Sequence, residues 1–77
     1  MSEHVSTLSE VVIYIAPPAT VRGRWRVRSD GRPEKEVETE HAAVAFAAEH
    51  TRMIENAGGV AIVKIERADG SWETFRT

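Results

Sequence analysis

The sequence predicts an α+β domain, with a single antiparallel sheet of four to five strands and one α-helix packed on one face. Three observations predict this class: a helix-period segment at Thr39–Ala57, short β-branched runs before and after it, and two Asp-Gly turn signals. The chain of 77 residues is long enough for one domain with one small core. We expect a flexible N-terminal tail at residues 1–10 and the single domain at residues 11–77.

The first strand is predicted at Val11–Ala16, a β-branched and aromatic run that ends before Pro17 and Pro18. Side chains of a strand alternate between its two faces, so Val12 and Tyr14 share one face. We assign the other face to the core because it is wholly aliphatic: Val11, Ile13 and Ile15.

A second strand is predicted at Gly23–Arg28, where Trp25 and Val27 alternate with arginines. The two apolar residues should point inward and the arginines outward. Asp30-Gly31 then indicates a hairpin turn into a short third strand at Arg32–Val37. Because Pro33 has no backbone N–H to donate, either this strand lies at the edge of the sheet or Pro33 is its first residue.

The helix is predicted between an N-cap at Thr39 and a left-handed end at Gly58 or Gly59. At 100° per residue its apolar residues share one sector, which should cover the sheet. These residues are Ala43, Phe46, Ala47, His50, Met53, Ile54 and Ala57.

Two more strands are predicted at Val60–Arg67 and Ser71–Arg76. A two-residue loop between them would place Glu66 opposite Glu73, a repulsive pair. We favour a three-residue loop with Gly70 in a bulge, which places Val63 opposite Phe75 and Glu66 opposite Trp72. The predicted inward residues are Ala61, Val63, Ile65 and Phe75, and the outward ones are Ile62, Lys64, Trp72 and Thr74.

Composition excludes several classes of protein. The formal net charge of −2 argues against a general nucleic-acid binder, and the absence of cysteine excludes disulfides and thiolate zinc sites. The longest apolar run, at residues 11–18, is too short for a membrane span, and the N-terminal residues lack the pattern of a signal peptide. We therefore expect a soluble, cytoplasmic protein that does not associate with membranes.

The motifs resemble those of a small bacterial family described only as a domain of unknown function. The resemblance spans about Val11 to Arg76 and lies in a W-x-V hairpin, an alanine-spaced helix, a Gly-Gly step and a final Asp-Gly turn. The arginine-rich hairpin and the Pro17-Pro18-Ala19 segment depart from that pattern. Because the family has no assigned activity, the resemblance implies the same order of strand pair, helix and strand pair and leaves function open. The matching positions are Trp25, Val27, Thr39, Ala43, Ala47, Gly58, Gly59, Val63, Asp69 and Gly70.

No segment has the spacing of a catalytic or cofactor-binding motif. A G-x-S-x-G elbow is absent, and Gly58-Gly59 leads into a strand where phosphate-binding loops lead into a helix. His4, His41 and His50 are too dispersed to form a metal site. His50 could be a buried acid/base group, but we favour a structural imidazole at the edge of the core. We predict no enzyme activity, no cofactor and no metal.

The predicted sheet face away from the helix is the candidate site. An apolar patch of Val12, Tyr14, Ile62 and Trp72 on this face would suit a protein partner or a symmetric homodimer. We therefore predict a non-catalytic interaction module, with self-association or protein binding as its first function.

Nucleic-acid binding is the alternative function. Alternate residues of a strand lie about 7 Å apart, close to the phosphate repeat of a nucleic-acid strand. Basic residues among aromatic ones can also bind unpaired bases. The opposing interpretation is a solvated strand face whose charge is neutralised by Glu34, Glu36, Glu66 and Glu73. The candidate contact residues for either function are Tyr14, Arg22, Arg24, Arg26, Arg28, Ile62, Lys64 and Trp72.

Overall fold

A computed structural model describes residues 10–75 as one five-stranded sheet with one helix packed on one face. The predicted α+β class is confirmed. Of the predicted tail at residues 1–10, residues 1–9 lie outside the described residues, and Glu10 already belongs to the first strand. In chain order the elements are β1 (Glu10–Ala16), β2 (Trp25–Ser29), β3 (Lys35–Val37), α1 (Glu40–Asn56), β4 (Val60–Glu66) and β5 (Trp72–Phe75).

The sheet is mixed, so the prediction of a purely antiparallel sheet was wrong. Its strand order is β3-β2-β1-β4-β5, and the central pair β1–β4 is parallel, from Glu10 opposite Val60 to Ile15 opposite Ile65. The other three pairs are antiparallel. The physical reason is chain direction: β3 runs parallel to β1, and α1 returns the chain to the end at which β1 begins. A strand that starts there beside β1 must run parallel to it.

Both predicted hairpin turns are present. In the first, the Arg32 N–H donates to the Ser29 carbonyl (3.3 Å), and Gly31 has a φ of 78°. The third strand is shorter than predicted, because it starts only at Lys35, and it lies at the sheet edge, as Pro33 requires. In the second hairpin the predicted register is confirmed, with Val63 opposite Phe75 and Glu66 opposite Trp72.

The helix ends are those that the sequence predicts. The Thr39 hydroxyl accepts a hydrogen bond from the Ala42 N–H (3.0 Å), which satisfies a donor of the first turn. At the other end the Gly59 N–H donates to the Ile54 carbonyl (2.9 Å) and the Gly58 N–H to the Glu55 carbonyl (3.0 Å). With Gly58 at a φ of 91°, this is a Schellman motif, which satisfies the last carbonyls of the helix.

The core lies between α1 and the middle of the sheet. Ile13, Ile15 and Ile65 are fully buried there, which confirms the predicted inward faces of β1 and β4. Small residues of α1 let the helix approach the sheet closely. The buried core is completed by Val27, Ala43, Ala47 and Val63.

The buried face of α1 differs from the predicted sector. Phe46 and Met53 were expected inside, but they are 37% and 56% exposed. Thr51 was expected on the flank, but it is 3% exposed, and its hydroxyl donates to the Ala47 carbonyl (2.9 Å). The cause is the short third strand: β3 has three residues, so the sheet extends too little on that side to cover the larger side chains of α1.

Candidate functional site

The sheet face away from α1, called here the open face, brings most of the predicted contact residues together. One cross-strand row runs from Arg28 on β2 through Tyr14 on β1 and Lys64 on β4 to Thr74 on β5. A neighbouring row contains Arg26 opposite Ala16, and Glu66 opposite Trp72. These positions share one face because opposite residues of paired strands project to the same side.

Two aromatic rings meet on the open face, above β4. The Tyr14 and Trp72 ring centroids are 5.6 Å apart, with an interplanar angle of 80°, so the contact is edge-to-face. Because β4 lies between β1 and β5, the two side chains lean across β4 to reach each other. Tyr14 is half-buried, whereas Trp72 keeps 48% of its surface exposed. The predicted placement of both residues on one face is confirmed.

The arginines of the predicted contact set, Arg22 to Arg28, called here the arginine stripe, do not all lie on one strand, because β2 begins only at Trp25. Arg22 and Arg24 lie before the strand, in the loop that leaves β1, so only Arg26 and Arg28 have the spacing of strand residues. Arg24 lies 3.9 Å from a carboxylate oxygen of Glu38, and both side chains are largely exposed. The prediction that Arg24, Arg26 and Arg28 are evenly spaced on one strand was therefore wrong for Arg24, which lies before β2.

Acidic side chains accompany the arginines that do lie on the open face. Arg26 is opposite Glu36 on β3 and donates through Nη2 to the Pro17 carbonyl (3.4 Å). A shallow cavity of about 140 Å³ beside Tyr14 and Trp72 is lined by Arg26 and Arg28 together with Glu34 and Glu66. The positive charge of β2 is therefore countered locally.

Glu73 does not take part in this charge balance, which corrects the predicted pairing with the stripe. It accepts a hydrogen bond from Arg67 Nε (2.6 Å), and Arg67 Nη1 also lies 3.3 Å from Glu40 at the start of α1. These hydrogen bonds and charges raise the pKa of Arg67, with the Glu73 hydrogen bond as the largest cause. Arg67 therefore ties the last hairpin to the helix.

The apolar part of the predicted patch is less exposed than its residue types indicate. Val12, Tyr14 and Ile62 are half-buried, as is Lys64 beside them. Long neighbouring side chains can cover such residues with their methylene stems. Trp72 is therefore the main exposed apolar surface of the open face.

A second concave feature lies on the other side of the sheet, and the sequence did not predict it. The groove, called here the helix-side groove, has a volume of about 260 Å³ and runs between α1 and the turn that joins β2 to β3. Its apolar lining includes the exposed Phe46 and Met53. The remaining lining residues are Val27, Ser29, Arg32, Pro33, Glu49 and His50.

His50 lies at the border between the core and the helix-side groove. Its side chain is 8% exposed, and its ring lies edge-to-face to Phe46, with a centroid distance of 6.3 Å. Burial lowers the pKa of His50 from its ordinary value of 6.5, and the charge of Arg32 adds to this effect. The imidazole is therefore neutral at pH 7.

A sequence signal for the groove did exist. Phe46, His50 and Met53 follow each other at four and three residues along one helix edge, a spacing that is usually assigned to the core. The third strand was already predicted to be short, and Pro33 restricted it to the sheet edge or to a start at that residue. Together, the two observations indicate large side chains that extend beyond the sheet.

Two further classes of site are not seen in the described part of the chain. Within residues 10–75, no group of three or more His, Asp or Glu side chains could hold a metal ion. Over the same residues, no helix is long and apolar enough to cross a membrane.

No family model, curated protein or solved structure matches the chain. The similarity of Trp25, Thr39 and the Gly58-Gly59 step to a small bacterial family therefore stays a prediction.

Proposed function

We propose that the protein is a non-catalytic, cytoplasmic interaction module that self-associates through its open face to form a homodimer. The observation that carries this proposal is the edge-to-face pair of Tyr14 and Trp72 on the open face, of which Trp72 is 48% exposed. Tryptophan and tyrosine are the residues most enriched among those that dominate binding energy at protein interfaces. Contact with Tyr14 also restricts the Trp72 ring, which reduces the entropy that binding would remove.

The charges around this pair favour a second copy of the chain as the partner. The face carries three cationic side chains, Arg26, Arg28 and Lys64. It also carries four acidic ones, Glu10, Glu34, Glu36 and Glu66, so three positive charges stand against four negative ones. A surface whose charges are nearly balanced can face its own copy with little net repulsion, which favours a twofold interface.

The small core gives the same proposal an energetic reason. A domain of 77 residues rarely obtains more than about 3–5 kcal/mol from its core alone, and small folds often supplement it by oligomerisation. Burial of Trp72 at an interface would stabilise the folded state through mass action.

The alternative function is binding of single-stranded nucleic acid through the Arg22–Arg28 segment and the neighbouring aromatic rings. The specific observation in its favour is that Arg28 and Lys64 flank Tyr14 in one row, with Trp72 in contact. The acidic residues on the same face oppose it, because they reduce the positive potential that attracts phosphates.

The test is the mass in solution, measured by light scattering after size exclusion across a range of protein concentrations at low and high salt. We expect a dimer at both salt concentrations, because the proposed contact is centred on aromatic rings. Trp72→Ala should weaken the dimer about thirtyfold or more, as expected for a residue that dominates an interface. Phe46→Ala is the matched control, because it removes a partly exposed aromatic ring from the other side of the sheet.

A protein that stays monomeric at all concentrations would overturn the proposal, as would equal effects of the two substitutions. Titration with a single-stranded oligonucleotide, followed by fluorescence anisotropy, then tests the alternative. Nucleic-acid binding should weaken steeply between about 50 and about 200 mM salt. It should also weaken in Arg28→Gln.

A further inference from the structure

The helix-side groove is independent of the open face. Its strand residues, Val27 and Ser29, project toward α1, while Tyr14 and Trp72 project to the other side of the sheet. Occupation of the groove would therefore leave the proposed dimer contact uncovered.

The walls of the groove are mainly apolar, and they include exposed surface that the fold does not bury. Phe46 is 37% exposed and Met53 56% exposed, although both lie on the edge of α1 that faces the turn into β3. Val27 and Pro33 form the facing wall. Solvated apolar surface in a concave site is typical of ligand pockets, because a ligand can displace its water.

A few polar groups converge on this apolar surface. Ser29 and His50 are each 8% exposed, and both line the groove. A serine hydroxyl and a neutral imidazole each offer one hydrogen-bond donor. Such nearly dry donors interact more strongly with a ligand acceptor than exposed ones do.

The charges at the rim favour an anion. Arg32 lines the groove, and the Lys35 ammonium lies 5.9 Å from the Phe46 ring centroid. Glu49 is the acidic member of the lining, and it would repel a ligand with several negative charges. The balance suits a single negative charge, and a guanidinium binds a carboxylate through two parallel hydrogen bonds.

We infer that the helix-side groove is a binding site for a small aromatic carboxylate. The ring of the ligand lies against Phe46 and Met53, and its carboxylate faces Arg32, with Ser29 and His50 as neutral donors. The volume of about 260 Å³ is just below the usual range of ligand pockets, about 300–1,000 Å³, so the ligand is a compact single-ring molecule. The edge-to-face arrangement of Phe46 and His50 supplies the aromatic surface on which that ring packs.

The experiment is a titration of the ¹⁵N-labelled protein with phenylacetate, followed by two-dimensional NMR. Phenylacetamide and phenylethylamine serve as matched probes, because they keep the ring and change the charge to neutral and positive. We expect saturable shifts at the groove residues with phenylacetate, at a dissociation constant of about 1 mM or below, as is usual for a ligand of this size. The neutral probe should bind at least about fivefold more weakly, and the amine should bind more weakly still.

A variant series tests the same inference in the protein. Arg32→Gln should weaken phenylacetate binding about fivefold or more, because it removes the charged hydrogen-bond donor. Arg22→Gln is the matched control, since Arg22 is an exposed arginine of another loop. Both changes lie in exposed loops, so the folded spectrum should persist.

Three results would overturn the inference: shifts that do not saturate, equal affinity for phenylacetate and phenylethylamine, or equal affinities of Arg32→Gln and the native protein. The three-probe comparison uses the native chain alone, so it decides the question even if a variant fails to fold. None of these results depends on whether the protein is a monomer or a dimer.

Discussion

Two isoleucines of β4 provide a direct test of which sheet face is the core. Ile65 projects toward α1 and is fully buried, whereas Ile62 projects to the open face and is half-buried. They have the same side chain, lie in the same strand and are three residues apart. Shortening each one therefore compares the two faces with little change in chemistry.

The magnitudes follow from the carbon atoms that are removed. Ile65→Val deletes one buried carbon, worth about 0.8 kcal/mol of transfer free energy, and the cavity adds to this, so we expect a loss of about 1 kcal/mol. Ile65→Ala deletes three carbons, and we expect a loss of about 3–4 kcal/mol. That is comparable with the whole stability of a domain of this size, about 3–5 kcal/mol. For Ile62 the losses should be about half as large, because its side chain keeps part of its hydration and leaves no closed cavity.

The assay is urea unfolding of the four variants, followed by circular dichroism at one low protein concentration. A low concentration matters because Ile62 also lies on the proposed dimer face, where a lost contact would add to its effect. We expect the midpoint for Ile65→Val to lie below that for Ile62→Val, with equal slopes. If Ile62→Val lost as much stability as Ile65→Val under these conditions, the assignment of the two faces would be wrong.

Two further predictions concern single residues. Burial lowers the pKa of His50 below 6.5, so near that pH the unfolded chain binds a proton that the folded chain does not. The free energy of unfolding should therefore fall as pH drops through about 6.5, and it should level off below the pKa of the folded state. Unfolding followed from pH 8 to pH 5 should show this slope in the native chain and lose it in His50→Gln; a native chain without the slope would place the imidazole in water. Gly58→Ala should lower the free energy of unfolding in urea by about 1 kcal/mol, because Gly58 has a φ of 91°. An added Cβ would contact nothing within 4 Å, so backbone strain is the only cost. Gly58→Asn is its control and should lose less, since asparagine tolerates this conformation; a larger loss for Asn than for Ala would contradict the backbone explanation.

The features that the sequence predicted are local ones. Thr39 was expected to cap α1 and Gly58 or Gly59 to end it, and both do so. A bulged loop at Gly70 avoids a repulsive pair of glutamates, and the register that this loop predicts is confirmed. Each of these features depends on residues that are close in sequence. The N-cap depends on a free backbone N–H, the helix end on a left-handed glycine, and the register on the charges of facing residues.

The helix-side groove was missed because helix periodicity describes one element by itself. The angular position of Phe46 or Met53 around α1 shows which helix residues share its face. That position does not show how far the sheet extends beneath the helix. The sector was apolar as predicted, but β3 is too short to cover its outer edge. Thr51 is buried in their place, and its hydroxyl donates a hydrogen bond to the Ala47 carbonyl within the helix.

The parallel pairing of β1 with β4 could have been derived, and the contact at the open face depends on it. Two hairpin reversals make β3 parallel to β1, and a helix that crosses back returns the chain to its starting end, so any fourth strand runs in the direction of β1. That strand had two edges available, and β3 offers only three residues, Lys35–Val37, preceded by Pro33, whereas β1 offers seven. The longer edge allows more hydrogen bonds, and it also brings Ile13 and Ile15 beside Val63 and Ile65 at the centre of the core.

The same choice of edge places β5 two strands from β1, which is close enough for Trp72 to reach Tyr14 across β4. Had β4 joined β3, the two rings would lie near opposite edges of the sheet. Alternation along each strand can place Tyr14 and Trp72 on one face, but only the order of the strands brings them into contact. The proposed dimer surface is therefore a product of the long-range pairing of β1 with β4.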